Sequence, residues 1–289
     1  MPLRQPPALG HAMLPLESFK DKVVVITGGG TGLGKAMAVE FARCGATIAI
    51  LSRREEHRKS GVEAIRAMGG HAEGFEVDVR SPDSVAEAFD NISDKLGSAD
   101  VLVNNASGTF TCPAEDLSVN AWRSVVQIVL DGTFFCSREF ARRCLAEQRE
   151  GAILNVGSSY AWTGGPGSAH LAAAKAGVIN MTRSLAVEWA PSGIRVNTLV
   201  PGPFPHDDLP EGLKDLYGSK KAATKVPAGR VGELQELGWA ATYLCSPFAN
   251  FVTGLTFVID GGYSLRYQLS APEFIPVREQ LGAGPFLNS

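Results

Sequence analysis

The sequence predicts an α/β fold, a doubly wound parallel sheet of about seven strands with helices on both faces. Three observations support this prediction. Short runs of apolar, β-branched residues recur along the chain, patterns of helical period separate them, and the 289 residues contain no internal repeat or long linker. We therefore expect one domain, in which right-handed crossovers join neighbouring strands.

Each apolar run predicts one strand. The first is KVVVITGG, and the helical pattern KAMAVEFARCGA leads from it to the second run, TIAILS. The next five runs are HAEGFEVDV, ADVLVNNAS, GAILNVGSS, IRVNTLVPG and TFVIDGG. Helical patterns such as SVAEAFDNISDKL and AGVINMTRSLAVEWA stand between them. A sheet of this kind binds its ligand beyond the carboxyl ends of the strands, where the winding reverses.

Segments outside this alternation set the expected boundaries. Residues 1–15 are rich in proline and predict an N-terminal arm, and residues 16–263 form the domain. Within it, residues 203–229 are polar and weakly periodic, which predicts a lid over the ligand crevice. Residues 264–289 form a tail that is either a solvated end or an oligomer contact.

Composition excludes several classes of function. A net charge of −3 and a pI near 6.0 give no reason to expect nucleic acid or an anionic membrane as a partner. The five cysteines are widely spaced, which predicts neither a disulfide framework nor a metal site. No apolar run reaches the roughly 18 residues of a membrane span. We expect a cytoplasmic protein, or one of the mitochondrial matrix if the chain is eukaryotic.

A glycine-rich turn, TGGGTGLG at Thr27–Gly34, follows the first predicted strand and opens the first helix. In that context glycines let the backbone approach a pyrophosphate at the helix N-terminus. The alternative is a tight turn that binds nothing. The predicted cofactor contacts in this turn are Gly28, Gly30, Thr31, Gly32, Leu33 and Gly34.

The end of the second strand carries Ser52, Arg53 and Arg54, where an NAD enzyme would place a carboxylate against the ribose hydroxyls. Guanidinium groups suit a 2′-phosphate, so the sequence favours NADP(H) as the cofactor. The alternative is a pair of solvated arginines at a helix start. Asp78, at the end of the third strand, is a candidate acceptor for the adenine amino group or simply a strand-end carboxylate.

Together with NNAS at Asn104–Ser107, SS at Ser158–Ser159, PGP at Pro201–Pro203 and DGG at Asp260–Gly262, these motifs resemble the short-chain dehydrogenase/reductase family, which has a Rossmann-like fold. The resemblance runs from about Met13 to Tyr263 and implies a homo-tetramer. It also implies further cofactor contacts, at Asp78, Val79, Asn105, Ala106, Lys175, Pro201 and Gly202.

Most family members use a serine, a tyrosine thirteen residues later that exchanges a proton, and a lysine four residues after that. Here Ser158 and Lys175 keep the spacing, but Leu171 occupies the tyrosine position. One branch, the 2,4-dienoyl-CoA reductases, also lacks this tyrosine. Its members deliver hydride to a carbon of a conjugated thioester, so a group that stabilises charge on the thioester oxygen matters most.

The stretches ITGGGTGLGK, LSRR, DVR, LSVNAW, IVLDGT, SAHLAAAKAGV and PGP resemble the mitochondrial type of this branch. The resemblance implies that Tyr160, fifteen residues before Lys175, is the catalytic tyrosine, on the loop after the fifth strand. It implies that Lys175 binds the nicotinamide ribose, with Ser158 completing the catalytic set. Thr109 stands where the branch has an asparagine that donates a second hydrogen bond.

The implied substrate is an acyl-CoA with conjugated double bonds, contacted by Arg80, Phe110 and Ser118. Leu171 and Thr109 depart from the pattern of the branch, and two alternatives therefore stay open. One is a short-chain carbonyl or enoyl reductase that acts on another substrate. The other is a catalytically weak protein that binds NADP and acts by association.

Overall fold

A computed structural model describes residues 3–209, 220–265 and 278–279 of the chain. Seven strands form one sheet in the order β3-β2-β1-β4-β5-β6-β7, and every neighbouring pair is parallel. The strands are β1 Val23–Thr27, β2 Thr47–Ser52, β3 His71–Glu76, β4 Val101–Asn104, β5 Gly151–Val156, β6 Ile194–Pro201 and β7 Thr256–Ile259. Each lies within one of the predicted runs, so the predicted fold class is confirmed.

Helices connect the strands and cover both faces of the sheet. Those described are α1 Gly32–Arg43, α2 Glu55–Arg66, α3 Pro82–Leu96, α4 Val119–Val126, α5 Gly132–Ala146, α6 Tyr160–Thr163, α7 Ala169–Trp189, α8 Lys220–Ala223 and α9 Leu234–Cys245. A π-helical turn, Gln127–Asp131, joins α4 to α5. Because the strand order reverses between β1 and β4, the crevice for a ligand opens at the carboxyl ends of these two strands.

The hydrophobic core has two layers, one on each face of the sheet. Successive residues of a strand point to opposite faces, and both faces of β1 are buried. Ile26 therefore packs in one layer, with side chains of α1, α2 and α9, while Val25 packs in the other, with side chains of α3, α5 and α7. Burial on both faces accounts for the continuous apolar runs in the sequence.

A buried polar network crosses the sheet beneath the carboxyl edge. The Asn104 amide donates to the Ser137 hydroxyl and to the Asn155 side-chain oxygen, both at 2.9 Å. The Asn155 amide donates at 2.9 Å to Thr182, whose oxygen also accepts a hydrogen bond of 2.9 Å from Thr198. These bonds connect β4, β5 and β6 to α5 and α7, so they hold α7 in place against the sheet.

The predicted N-terminal arm packs against the domain. The Leu3 amide donates to the Ala228 carbonyl at 2.8 Å, and the Trp239 indole donates to the His11 carbonyl at 2.9 Å. Of the predicted lid, residues 210–219 lie outside the described residues, as does nearly all of the predicted tail. In the part of the chain that is described, no helix has the length and apolar character needed to cross a membrane.

Candidate active site

The glycine-rich turn between β1 and α1 has a backbone that only glycines accommodate. Gly28 and Gly32 have φ values of +64° and +50°, in the region that disfavours side chains. A Cβ atom on Gly34 would collide with the Gly28 carbonyl, and one on Gly30 would collide with the carbonyl of His57. The turn therefore brings bare backbone to the N-terminus of α1, which suits a phosphate group.

A cavity of about 500 Å³ lies at this turn, at the carboxyl edge of the sheet. Its lining includes many of the predicted cofactor residues: Gly28, Thr31, Gly32, Leu33, Ser52, Arg53, Arg54, Asp78, Val79, Asn105 and Ala106. The sequence-based reasoning missed His57, Ser107, Gly108, Ile128 and His206, which also line it. A larger cavity of about 580 Å³ lies at the opposite edge of the sheet and contains none of the motif residues.

The loop after β4 supports the glycine turn. The backbone amides of Asn105 and Ala106 donate to the Thr27 hydroxyl at 3.0 and 2.9 Å. The side-chain amide of Asn105 donates to the Thr27 and Gly28 carbonyls at 3.1 and 3.2 Å. Asn105 therefore positions the turn, and it lines the cavity as well.

Three arginines follow β2, and they differ in how they are held. The Arg58 guanidinium donates to the Ser52 and Arg53 carbonyls at 2.8 and 2.9 Å and also pairs with Glu76. Arg53 and Arg54 are exposed, and the described residues give neither side chain an ion-pair partner. Arg58 thus braces the strand end and leaves two guanidinium groups at the cavity for an anion.

Asp78 and Arg80 form a close pair at the end of β3. The Arg80 guanidinium donates to both carboxylate oxygens, with contacts of 2.5 to 3.1 Å. The hydrogen bonds from Arg80 hold the pKa of Asp78 below its usual range. The structure therefore brings a predicted adenine acceptor and a predicted substrate contact together in one ion pair.

Tyr160 begins α6, on the loop after β5. Its backbone amide donates to the Ser158 hydroxyl at 3.3 Å, and its ring is half-buried against Gly165. Burial raises the pKa of Tyr160, and the phenol of Tyr263 raises it further. The phenol therefore keeps its proton at neutral pH and can donate a hydrogen bond. Tyr263, which follows β7, is another residue that the sequence-based reasoning missed.

Lys175 lies on α7, and its side chain is 6% exposed. Its Nζ donates to the Val156 carbonyl at 2.5 Å. Burial lowers the pKa of Lys175 to about 8. The amine is thus held at the carboxyl end of β5, near the loop that carries Ser158 and Tyr160.

Leu171 lies one turn before Lys175 and packs with an apolar cluster that includes Val125, Val129, Ala174 and Val178. This cluster joins α7 to α4 and to the π-helical turn. Leu171 therefore has a packing role on the helix position where most family members carry the catalytic phenol.

The remaining predicted substrate-side residues lie on the loop after β4 and at the start of α4. Thr109 is exposed, and Phe110 stands with its ring edge-on to the buried ring of His170, 4.7 Å away. Ser118 is the N-cap of α4, and its hydroxyl accepts from the Ala121 amide at 3.1 Å. Of these residues only Phe110 has an exposed aromatic surface, which suits contact with an apolar chain.

Pro201 and Gly202 lie where β6 leaves the sheet. A Cβ on Gly202 would stand 2.5 Å from the Cα of Asp260, so the glycine allows the segments after β6 and β7 to approach each other. The following residues reach back to α1, where the Gly32 amide donates to the Asp208 carboxylate at 2.7 Å. The described residues contain no group of three or more His, Cys, Asp or Glu side chains that could hold a metal ion.

Comparison with known sequences gives consistent matches. A family model described as enoyl-(acyl carrier protein) reductase matches residues 28–264. A Bacillus subtilis protein named as a probable 2,4-dienoyl-CoA reductase that produces (2E)-enoyl-CoA is 41% identical over 253 residues, which are 86% of this chain and 98% of that protein. The peroxisomal 2,4-dienoyl-CoA reductase of Pongo abelii, named as producing (3E)-enoyl-CoA, is 38% identical over 266 residues, which are 90% of this chain and 89% of that protein.

Solved structures agree with the fold. A short chain dehydrogenase from Bacillus anthracis is 42% identical, with a TM-score of 0.79 over 86% of this chain and 99% of that one. A gluconate 5-dehydrogenase from Burkholderia cenocepacia, solved with NADP and tartrate, is 32% identical, with a TM-score of 0.79 over 87% of this chain and 99% of that one.

Proposed function

Because the chain belongs to the short-chain dehydrogenase/reductase family and is an oxidoreductase of that family, we propose that it is an NADPH-dependent reductase of 2,4-dienoyl-CoA thioesters. The observation that carries this proposal is the pair of positions taken by Tyr160 and Leu171. The backbone amide of Tyr160 donates to Ser158, and its ring is half-buried, with a raised pKa, while Leu171 packs in an apolar cluster at the usual tyrosine position.

A phenol that keeps its proton suits this reaction. Hydride addition to the far end of a conjugated thioester places negative charge on the thioester oxygen, and a hydrogen-bond donor there lowers the barrier. Tyr160 is the proposed donor, with Ser158 beside it. Thr109 is the proposed second donor and lies on the loop after β4. Leu171 offers no proton, which disfavours ordinary ketone reduction.

Lys175 holds the cofactor in this proposal. The bound nicotinamide would supply the hydride, and the glycine turn and cavity fit its pyrophosphate and adenosine. The buried amine of Lys175, oriented by the Val156 carbonyl, would bind the ribose hydroxyls and fix the ring. Pro201 and Gly202 are further proposed contacts of the cofactor.

The preference for NADPH rests on Ser52, Arg53 and Arg54. Two exposed guanidinium groups at the cavity suit a 2′-phosphate, because charge-assisted hydrogen bonds to phosphate are strong. No carboxylate stands at the end of β2 to repel that phosphate.

On the substrate side, the acyl chain would contact Phe110, and Ser118 is a further proposed contact. Arg80, which is paired with Asp78, is the proposed contact for a phosphate of coenzyme A. Residues 203–229 are the proposed lid, and its proposed phosphate contacts are Lys214, Lys220, Lys221 and Lys225. Lys214 lies outside the described residues. The compartment we propose is the cytoplasm, or the mitochondrial matrix in a eukaryote.

A second candidate is a short-chain enoyl reductase with another substrate, which the description of the matching family model favours. The two relatives also differ in the product that their names give, (2E)-enoyl-CoA and (3E)-enoyl-CoA. Proton delivery next to the thioester, from water, would give the 3-enoyl product.

We also propose a homo-tetramer. β7 is an edge strand of the sheet, and apolar side chains are exposed on it and just before it. Val258 is 40% exposed and Leu255 39%, while Phe248 and Phe251 protrude from the preceding turn. Exposed apolar side chains at an edge strand are typical of a face that a second copy covers.

The test of this function is turnover. The purified 289-residue chain is mixed with 2,4-hexadienoyl-CoA and either NADPH or NADH, and the loss of reduced-nicotinamide absorbance is followed. We expect turnover that is faster with NADPH, and chromatography of the product against 2-enoyl and 3-enoyl standards identifies the double bond. Absence of turnover with any dienoyl chain length, together with turnover of a simple enoyl-CoA or a ketone, would transfer the assignment to the second candidate class.

A further inference from the structure

The first turn of α1 already holds an anionic group of the protein itself. The Gly32 amide donates to Oδ2 of Asp208 at 2.7 Å, and the Lys35 ammonium lies 3.4 Å from the same oxygen. Gly32 and Asp208 are 176 residues apart in the sequence, so this contact belongs to the tertiary fold. Asp208 therefore takes one of the unpaired amides that a helix N-terminus offers to anions.

The neighbouring histidine covers the same glycine. A Cβ atom built on Gly32 would lie 2.9 Å from Cε1 of His206, so the imidazole lies directly over the glycine. His206 also lines the 500 Å³ cavity at the glycine turn. The His206–Asp208 segment thus lies on the surface against which a dinucleotide pyrophosphate would pack.

This segment is anchored on its N-terminal side and is closed by a turn. Before it, Phe204 is buried, and the Pro203 carbonyl accepts from the Gly232 amide at 3.0 Å. After it, the Leu209 amide donates to the His206 carbonyl at 3.2 Å and closes a turn. The carboxylate is therefore presented to Gly32 by a structured turn.

The charge of Asp208 persists at neutral pH. Burial acts to raise the pKa of Asp208, but the Gly32 hydrogen bond and the charge of Lys35 outweigh it, and the pKa lies below its usual range. An ionised carboxylate and a pyrophosphate repel each other, and a backbone amide makes one good hydrogen bond at a time. The two anions cannot both occupy the Gly32 amide.

We propose that Asp208 is an internal competitor for the cofactor, occupying the pyrophosphate position on α1 until a dinucleotide displaces it. The proposal rests on the dinucleotide part of the proposed function and is independent of the acyl substrate. Cofactor binding then includes the free-energy cost of breaking the contact between Asp208 and Gly32. The apparent affinity is the intrinsic affinity multiplied by the fraction of molecules in which the Gly32 amide is free.

The experiment is a fluorescence titration of NADPH into the 289-residue chain and its variants. Asp208→Asn removes the charge and keeps the shape, while Asp208→Ala removes the contact altogether. From the strength of charge interactions at helix termini, we expect the Kd for NADPH to fall about three- to tenfold in Asp208→Ala and by a smaller factor in Asp208→Asn.

Two controls isolate the pyrophosphate. Asp207→Asn removes an equal charge from the neighbouring exposed position, and the described residues show no hydrogen bond between Asp207 and α1. Its Kd should match that of the parent. Adenosine 2′-monophosphate carries no pyrophosphate, so its Kd should be the same in the parent and in all variants.

Three results would overturn the proposal. An unchanged or weaker NADPH affinity in Asp208→Ala would refute it while leaving the proposed function intact. An equal gain in Asp207→Asn, or for adenosine 2′-monophosphate, would show a general charge effect. Failure of the parent and the variants alike to bind NADPH would instead refute the cofactor assignment itself, and this inference with it.

Discussion

Lys175 carries its charge in surroundings that disfavour it. The side chain is almost fully buried, and among the described residues its one hydrogen-bond partner is the Val156 carbonyl. Burial lowers the pKa of Lys175 to about 8, so the protonated and neutral forms exchange close to physiological pH. A lysine that binds ribose hydroxyls acts through its donors and its charge, and both weaken when it loses its proton.

This gives a pH prediction. Lys175 is charged below about pH 8 and neutral above it, so kcat/KM for NADPH should decrease as the pH rises through about 8. The pH dependence of kcat/KM reports the pKa values of the free enzyme, which is the state that the structure describes. Steady-state kinetics across this range measures it, and a Lys175→Arg protein, slower but permanently charged, should lose this alkaline decrease. A kcat/KM for NADPH that stays constant up to about two pH units above 8 would contradict the proposed role of the Lys175 charge in cofactor binding.

Single residues also show what the sequence could and could not predict about the site. Gly28, Gly32 and Arg53 belong to short motifs whose spacing reflects local backbone geometry, and all three line the cavity. Asp208 lies in the predicted lid, but its contact with Gly32 was not predicted, nor was the position of Tyr263 beside Tyr160. They reach the site through contacts between segments far apart in the chain, and no local pattern encodes those contacts.

At the scale of elements, the buried polar network ties α7 to the sheet. Asn155 is fully buried and bonds to Asn104 on one side and to Thr182 on the other. Replacing Asn155 with leucine would remove one hydrogen-bond partner from Asn104 and one from Thr182 inside the core.

We therefore expect Asn155→Leu to lower the free energy of unfolding by about 2–4 kcal/mol. Urea titration followed by circular dichroism measures the change. Asn180→Leu, on the exposed face of α7, is the matched control and should change stability by less than about 0.5 kcal/mol. Equal stability of the two variants would show that the network does not hold the helix.

Strands were more predictable than the details of the helices. Buried parallel strands are apolar runs bounded by glycine or polar residues, and β1, β2, β4, β5 and β6 are of this kind. The edge strands β3 and β7 are partly exposed, although both lie within the predicted segments. The π-helical turn Gln127–Asp131 was not predicted, because it differs from an α-helix by a local change in hydrogen bonding that leaves the apolar period almost unaltered. α6 was missed as well, since a helix of four residues has no periodicity to detect.

At the scale of the whole molecule, the topology places the chemistry at one edge of the sheet. All strands are parallel, so the loops that carry Gly32, Thr109, Tyr160 and Gly202 emerge on the same side. The opposite edge contains the larger cavity, lined in part by Asp100 and Arg195, and none of the proposed catalytic groups. Cavity size therefore does not identify the active site in this molecule. The active site is identified by the edge at which the carboxyl ends of the strands meet.

The proposed tetramer gives a prediction at this scale. Light scattering after gel filtration should give a mass about four times the 30.6 kDa of one chain. Introducing charge on the exposed face of β7, as in Val258→Glu with Phe251→Glu, should reduce the mass. Lys59→Glu, on α2 near the other end of the sheet, should leave it unchanged. A monomeric parent at micromolar concentration would refute the tetramer.

The measurement that tests the central claim most directly is kcat of a Tyr160→Phe protein with NADPH and 2,4-hexadienoyl-CoA. If Tyr160 donates to the thioester oxygen, kcat should fall by about 10²–10³, the usual cost of losing one such donor, while the Kd for NADPH stays unchanged. Tyr243→Phe, the same change on the distant helix α9, should retain full activity. A Tyr160→Phe protein with the kcat of its parent would show that the reaction does not use this phenol.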